Sequence, residues 1–234
     1  MLKNSPEIRC TVPSIPPRVV RYLETNNIKK FFETGELLLT SYSRCKNHED
    51  KSRKDSNEGK SQYEVTYNGA YGNQKTCGWH DVGAGSYMLC TSKVESEALM
   101  RKFSVNGYFW INDVLEFSEA ISKCIPDFLT TKYGCCTYQD TRVLSKQKTN
   151  PFMPLIPSKP FEDEDHEKIS QILYDFQNKL SEHYYDAAEE TFFLKEKHYS
   201  DEEEFRIIWN TSNKVDGYLI IKCPQAIQFC TNVT

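Results

Sequence analysis

The first half of the chain alternates short apolar runs with helical patterns. Runs rich in aliphatic and aromatic residues predict strands at 18–22, 37–41, 87–90 and 108–111. The spacing of Ile28, Phe31 and Phe32 predicts a helix over 26–33. That helix is expected to end at Gly35, because glycine readily adopts the left-handed conformation that closes a helix. The chain therefore begins with a strand–helix–Gly–strand unit.

Two further helices are indicated by their starting residues. Ser92 and Glu95 match a capping box and predict a helix that continues to about Phe103. Asp113 predicts the N-cap of a helix through Cys124, which the following proline would stop.

Strands dominate the last third of the sequence. They are predicted at 192–195, 204–209 and 218–223, and a further strand is predicted earlier, at 133–138. Residues 141–165 are rich in proline and acidic side chains and predict a linker. One helix follows it, with a packing face of Ile169, Ile172, Leu173, Phe176 and Leu180. The pattern predicts an extended lead-in over 1–17 and one mixed α/β domain over 18–234.

A polar run from Ser43 to Gln62 interrupts this pattern. It holds six basic residues against four acids and has almost no apolar anchors. Such a segment is expected to be a mobile surface loop, followed by a hairpin over 63–85. The net charge of −4 argues against a general nucleic-acid coat but leaves room for a local basic groove.

Composition narrows the class of protein. A hydrophobic fraction of 38%, with 13% aromatic residues, indicates a folded core. The nine cysteines are scattered without CxxC pairs, which is typical of reduced thiols, so we expect a cytoplasmic protein. No secretory signal and no membrane span are predicted. The histidines lack ligand spacing, so no metal is expected.

The acidic residues before the late strand are the strongest candidates for chemistry. Glu202 and Glu204 form a Glu-x-Glu pair, and residues two apart in an extended chain share a face. Both carboxylates can then reach one cleft, where a negative charge would stabilise an oxocarbenium-like centre at a glycosidic carbon. The alternative is a solvated acidic turn.

Two other strand ends carry candidate binding groups. Arg21 at the end of the first strand can fork a diphosphate, and Tyr22 can stack on a flat ring. Hydroxyls of Thr91 and Ser92 can steady a nucleotide ribose. The alternatives are an edge-strand arginine, a core tyrosine, and a serine that only caps a helix.

The order of these pieces resembles a large, uncharacterised and mostly bacterial family with a late "EkEfR" strand. The resemblance covers roughly 18–229. Its matching segments are 21–22 with 35–41, 88–92 with 97–100, 107–110, 137–140 and 199–209. One departure is the sequence Asn-His-Glu-Asp at 47–50, where that family usually has Asn-Asp-Pro after its second strand.

The same layout is similar to the ADP-ribosyltransferase superfamily, including toxins of phage defence and toxin–antitoxin systems. The resemblance implies a mostly antiparallel split β-sheet with flanking helices and NAD as substrate. It implies that Arg21 and Tyr22, with Thr91 and Ser92, hold NAD. It assigns the catalytic role to Glu204, supported by Glu202. Arg21, Ser92 and Glu204 are then expected to face one cleft.

The acceptor is left open between a nucleic acid and a protein. A phosphate backbone could follow the basic residues of the polar run, and tyrosines beyond it could stack bases. The basic candidates are Arg44, Lys46, Lys51, Arg53 and Lys54, and the tyrosines are Tyr63, Tyr67 and Tyr71. An antitoxin or chaperone partner is also implied. Two other readings remain, a non-enzymatic interaction module of a defence system and a nucleic-acid-binding protein.

Overall fold

The computed structural model describes residues 15–46, 55–69, 72–149, 170–171, 174 and 184–233. The strands are β1 Val19–Leu23, β2 Glu36–Ser41, β3 Lys60–Gly69, β4 Gly72–Asp81, β5 Ser86–Ser92, β6 Gly107–Ile111, β7 Phe128–Cys135, β8 Thr137–Gln139, β9 Val143–Thr149, β10 Leu194–Glu196, β11 Glu204–Thr211, β12 Tyr218–Lys222 and β13 Cys230–Asn232.

The α-helices are α1 Thr25–Thr34, α2 Tyr42–Lys46, α3 Glu97–Lys102, α4 Val114–Ser122 and α5 at 184–191, and 3-10 helices cover Lys197–Glu202 and Pro224–Phe229. Within these ranges, no helix has the length and apolar character needed to cross a bilayer. The five apolar positions of the helix predicted around 169–180 lie outside the described residues.

An antiparallel sheet of eight strands forms the centre of the fold. Its order is β12-β2-β5-β1-β6-β13, and β11 and β7 extend it from the other edge of β5. Because β2 and β1 share one edge of β5, the sheet splits there into two branches. The predicted mixed α+β class with mostly antiparallel strands is confirmed.

One face of this sheet is covered by α1 and α4 and is apolar. Phe31 of α1 stacks on Phe109 of β6, with ring centroids 5.0 Å apart. Gly35 ends α1 at φ 73°, as predicted, and a Cβ there would lie 2.3 Å from the Pro224 nitrogen. Glycine is therefore required both for its conformation and for the close approach.

A second sheet has the order β4-β3-β9, and β8 pairs with β10 in parallel. Strand β9 lies within the predicted linker, so that prediction is wrong over 143–149; residues 150–165 lie outside the described residues. The linker prediction rested on prolines that begin only at Pro151. Upstream of them, β9 pairs with β3 and its Leu144 is buried, so tertiary pairing stabilises the strand.

The predicted loop over 43–62 also differs from the structure at both ends. Helix α2 covers its first residues and β3 begins at Lys60, while 47–54 lie outside the described residues. Buried ion pairs take the place of the apolar anchors that the segment lacks. Asp55 pairs with Arg142, and Glu58 pairs with Arg206.

The helix caps separate a correct prediction from an incorrect one. Asp113 caps α4, accepting a hydrogen bond from the Glu116 N–H at 3.1 Å. Helix α3 is instead capped by Ser96, which accepts from the Leu99 N–H at 3.4 Å. Ser92 is not its N-cap, because β5 continues through that residue and pairs with β11.

Candidate functional site

The split in the central sheet is the first feature of the candidate site. Strand β2 pairs with Tyr87 and Met88 of β5, whereas β1 pairs only with Ser92. On that edge, the described strands leave residues 89–91 without a ladder partner. The Arg21 Nη1 group donates a hydrogen bond to the Cys90 carbonyl oxygen in this interval. Arg21 therefore carries its positive charge into the split.

The strand register brings the three predicted elements to one level of the sheet. Ser92 is the Cα partner of Val20 on β1 and of Glu204 on β11. Side chains of directly paired residues share a face, and successive residues alternate. Ser92 and Glu204 thus lie on the same face, and Arg21 lies on the opposite face. The prediction that all three face one cleft is wrong for Arg21.

The predicted hydroxyl groups are both engaged by backbone of the late strand region. Thr91 Oγ1 donates to the Phe205 carbonyl at 2.7 Å, and Ser92 Oγ donates to the Glu202 carbonyl at 2.8 Å. Both residues are buried. In this structure the Thr91 and Ser92 side chains link β5 to the residues around Glu204 by hydrogen bonds and do not project into solvent.

Tyr22 connects β1 to the segment that leads into α3. Its hydroxyl donates to the Val94 carbonyl at 2.7 Å and accepts from the Ser96 N–H at 2.7 Å. Its ring packs against Phe103, with centroids 6.0 Å apart. Burial raises the pKa of Tyr22. The ring predicted to stack on a ligand therefore packs within the protein here.

A buried ion cluster surrounds Glu204; we define it as Glu58, Lys195, Glu202, Glu204 and Arg206. Arg206 holds Glu58 with two parallel hydrogen bonds of 2.8 and 2.9 Å, and its Nε donates to Glu204 Oε1 at 2.6 Å. Lys195 Nζ donates to one oxygen of Glu204 and one of Glu202, each at 2.6 Å. All five side chains are at least nine-tenths buried.

Electrostatics within the ion cluster favour the charged forms. Burial alone would raise the pKa of Glu204, but Arg206 and Lys195 hold it well below its usual range. Burial opposes the charge on Lys195 too, yet Glu204 and Glu202 raise its pKa above the ordinary value. Opposite charges at hydrogen-bond distance thus outweigh desolvation at both positions.

The two carboxylates of the Glu-x-Glu pair do converge, although by a different route from the one predicted. Glu202 ends a 3-10 helix, and Glu203 adopts a left-handed conformation with φ 40° before β11 begins. The pair is therefore not extended. Its members meet because both reach Lys195, and a charged network takes the place of the solvated acidic turn.

One edge of the ion cluster approaches the surface at α3. Lys102 Nζ lies 3.0 Å from Glu202 and 2.7 Å from Asp201, and its side chain is 27% exposed. The Tyr199 ring lies 4.5 Å from Lys195 Nζ. Lys102 therefore covers one carboxylate oxygen of Glu202 on the side of α3.

The basic residues predicted to follow a phosphate backbone are only partly described. Arg44 and Lys46 lie on α2, and Lys46 Nζ pairs with Asp81 at 2.6 Å. Lys51, Arg53 and Lys54 lie outside the described residues, as do Tyr71 and the Tyr67 side chain. Tyr63 is half-buried, with its ring centroid 4.9 Å from that of His80.

Three members of the ion cluster, Glu58, Lys195 and Arg206, were missed by reasoning from the sequence. Lys195 closes an apolar run, Phe-Phe-Leu, so a charged residue in a buried strand was a visible signal. Glu58 gives no local signal, because it sits in a polar run and meets Arg206 across 148 positions. Only the folded chain brings those two together.

In the part of the chain that the structure describes, no group of three His, Cys, Asp or Glu side chains is placed to hold a metal ion. Comparisons with protein-family models, with curated proteins and with solved structures find no match for this chain.

Proposed function

We propose that the chain is an NAD-dependent ADP-ribosyltransferase that acts as a defence or toxin effector on a nucleic-acid or protein acceptor. One observation supports this above the others. Ser92 is the register partner of β1 on one side and of Glu204 on the other, beside a split in an antiparallel sheet. The three strands that carry the proposed basic, hydroxyl and acidic groups are therefore neighbours, with Ser92 and Glu204 on one face and Arg21 on the other.

In the proposed reaction the bond between C1′ of the ribose and the nicotinamide nitrogen breaks. The electron pair leaves with neutral nicotinamide, and an oxygen or nitrogen of the acceptor bonds to C1′ and releases its proton to solvent. The negative charge of Glu204, with Glu202 beside it, would stabilise the positive charge that develops on the ribose. Because Arg21 lies on the opposite face of the sheet from Glu204, its proposed role in holding the diphosphate requires NAD to pass through the split between β1 and β2.

For NAD to bind, its ribose must reach the carboxylates of Glu202 and Glu204. Both oxygens of Glu204 are already engaged, by Arg206 and Lys195. Entry past α3 requires Lys102 to leave Glu202. A hydroxyl of the nicotinamide ribose would then donate a hydrogen bond to Glu202 in place of Lys102. Lys195 would still hold the carboxylates of Glu202 and Glu204 together.

The test is incubation of the full chain with labelled NAD and separate pools of DNA, RNA and protein. We expect label on one pool. In Glu204→Gln, turnover should fall on the order of 100-fold or more with smaller change in NAD binding. Glu58→Gln is the matched control. It also removes a carboxylate that pairs with Arg206, but Glu58 pairs with Nη1 of Arg206 whereas Glu204 pairs with Nε.

The paired variants distinguish chemistry from stability. If Glu58→Gln and Glu204→Gln, both shown to be folded by circular dichroism, lose transfer equally, Glu204 has only a structural role. If the wild-type chain neither binds NAD nor labels any pool, the transferase proposal is wrong.

A second candidate is a non-enzymatic interaction module with the same fold. It is favoured by the engagement of Thr91 and Ser92 with backbone carbonyls and of Glu204 with two cations. In that case Glu204→Gln should lower the free energy of unfolding and leave partner binding unchanged in the folded fraction. Transfer of label by the wild-type chain would contradict this candidate.

A further inference from the structure

A cavity of about 540 Å³ lies beside the second sheet, on the other side of β10 from the ion cluster. Lys195 of β10 belongs to the ion cluster, whereas the next residue, Glu196, lines the cavity. We call this cavity the Trp79 cavity. Its volume is within the roughly 300–1,000 Å³ that is usual for small-molecule sites. Other lining residues are Lys60, Gln62, Asp140 and Arg142.

Trp79 is the unusual feature of this cavity. Its side chain is 75% exposed, whereas Trp110 and Trp209 are buried. The register pairs Trp79 with Gln62 and Asp81 with Lys60, so these four side chains share the outer face of the β3–β4 hairpin. A large aromatic ring beside hydrogen-bonding groups offers a stacking platform for a flat ring.

The charges around the cavity restrict the ligand. Arg142 is compensated by Asp55, and Asp81 by Lys46. Glu196 lies 3.7 Å from Arg142 Nε and accepts a hydrogen bond from Asn57, and the 81%-exposed side chain of Asp140 lies 3.6 Å from Lys197. Lys60, which also lines the cavity, takes part in no ion pair among the described residues. The carboxylates can accept hydrogen bonds from an amino group, and Lys60 and Gln62 can donate to a carbonyl oxygen.

We propose that the Trp79 cavity binds an unpaired nucleobase that presents an amino group beside a carbonyl, that is, cytosine or guanine. The base stacks on Trp79, its amino group donates to Asp140 or Glu196, and its carbonyl accepts from Lys60 or Gln62. Acidic side chains are known acceptors for the cytosine amino group. The site does not depend on the transferase activity proposed above.

An arginine side chain of a protein is the competing ligand, because a guanidinium also stacks on tryptophan and pairs with carboxylates. Two observations favour the base. Lys60 would repel the positive charge of a guanidinium. A guanidinium also has no carbonyl oxygen that could accept a hydrogen bond from Gln62 or Lys60. A quaternary ammonium is disfavoured as well, since such ligands are held by several Trp, Tyr or Phe rings, and Trp79 is the one residue of these three types among the described residues that line the cavity.

The experiment titrates the full chain with free nucleosides and with short single-stranded oligonucleotides, following tryptophan emission. Because Trp79 is the exposed tryptophan, stacking should quench it. We expect cytidine and guanosine to bind more tightly than uridine, and oligo(C) roughly tenfold or more tighter than oligo(U). If oligo(C) binds no better than cytidine, the natural ligand is a free nucleoside; if it binds better, the ligand is a strand.

Variants locate the binding by anisotropy of labelled oligo(C). Trp79→Ala should weaken binding roughly 5- to 100-fold, and Trp79→Phe should restore part of it. Asp140→Asn should reduce the preference for C over U. Tyr218→Ala is the matched control, since Tyr218 is 56% exposed but lies on β12 of the other sheet. Equal binding of C and U, unchanged binding by Trp79→Ala, or tighter binding of an arginine peptide would overturn the proposal.

Discussion

Strand β11 buries two faces of opposite character. Phe205, Ile207 and Trp209 point into the apolar core between the central sheet and α4. Glu204 and Arg206, which alternate with them, point to the other face and enter the ion cluster. Phe205, Ile207, Trp209 and Arg206 are all at 0% exposure. Equal burial is therefore achieved by two different physical means along one strand.

The two faces differ in how their stability depends on partners. Apolar burial is roughly proportional to area and tolerates small changes of shape. A buried charge is tolerated only while an opposite charge and hydrogen bonds compensate its lost hydration. Arg206 meets this condition with two carboxylates and the Phe192 carbonyl at 2.7 Å. The apolar face should thus be robust, and the charged face should fail when one member is removed.

The largest effect is expected from Arg206→Met, which leaves Glu58 and Glu204 buried with less compensation. We expect a loss of roughly 3–5 kcal/mol in the free energy of unfolding. Ile207→Val, on the apolar face, is the matched comparison and should cost roughly 0.5–1.5 kcal/mol. Urea unfolding followed by circular dichroism measures both. A cost for Arg206→Met no greater than that for Ile207→Val would break the contrast between the faces.

This contrast also explains which parts were predictable from the sequence. The helix that ends at Gly35, the Asp113 cap and the apolar strands follow from local patterns, and all three are found. The partners of Glu204 do not, because Glu58 and Lys195 reach it through tertiary structure. Strand β9 was missed for the same reason: its pairing with β3 is distant in sequence.

An intermediate effect is expected in acid. The folded-state pKa of Glu204 lies below its ordinary value of 4.5. Its carboxylate therefore stabilises the folded state above that pH, and the contribution is lost as the pH falls further. At about pH 3 the loss should be roughly 2 kcal/mol. The raised pKa of Lys195 gives a stabilising contribution that is fully present below pH 10.5 and is lost only at higher pH, so it stays constant across the acid range.

Unfolding free energies of the wild-type chain and Glu204→Gln, measured from neutral pH to about pH 3, test this. Other carboxylates titrate in both proteins, so the difference between the two curves isolates Glu204. The difference should shrink as the pH falls, because the wild-type side chain becomes neutral like its replacement. Parallel curves would show that Glu204 does not titrate differently in the folded and unfolded chains.

The smallest effect is expected where the same charges lie in water. Arg101 and Glu97 on α3 approach to 3.5 Å, but their side chains are 74% and 82% exposed. Water hydrates both ions with or without the pair, so a double-mutant cycle with Arg101→Ala and Glu97→Ala should give at most about 0.5 kcal/mol of coupling. The cycle of Arg206→Met with Glu58→Gln should give several times more, since removing either partner leaves the other buried. Raising the salt concentration should abolish the first coupling and leave most of the second, because salt screens exposed charges far better than buried ones. Equal couplings in low salt would mean that the ion cluster is hydrated, and its contrast with the apolar face would then disappear.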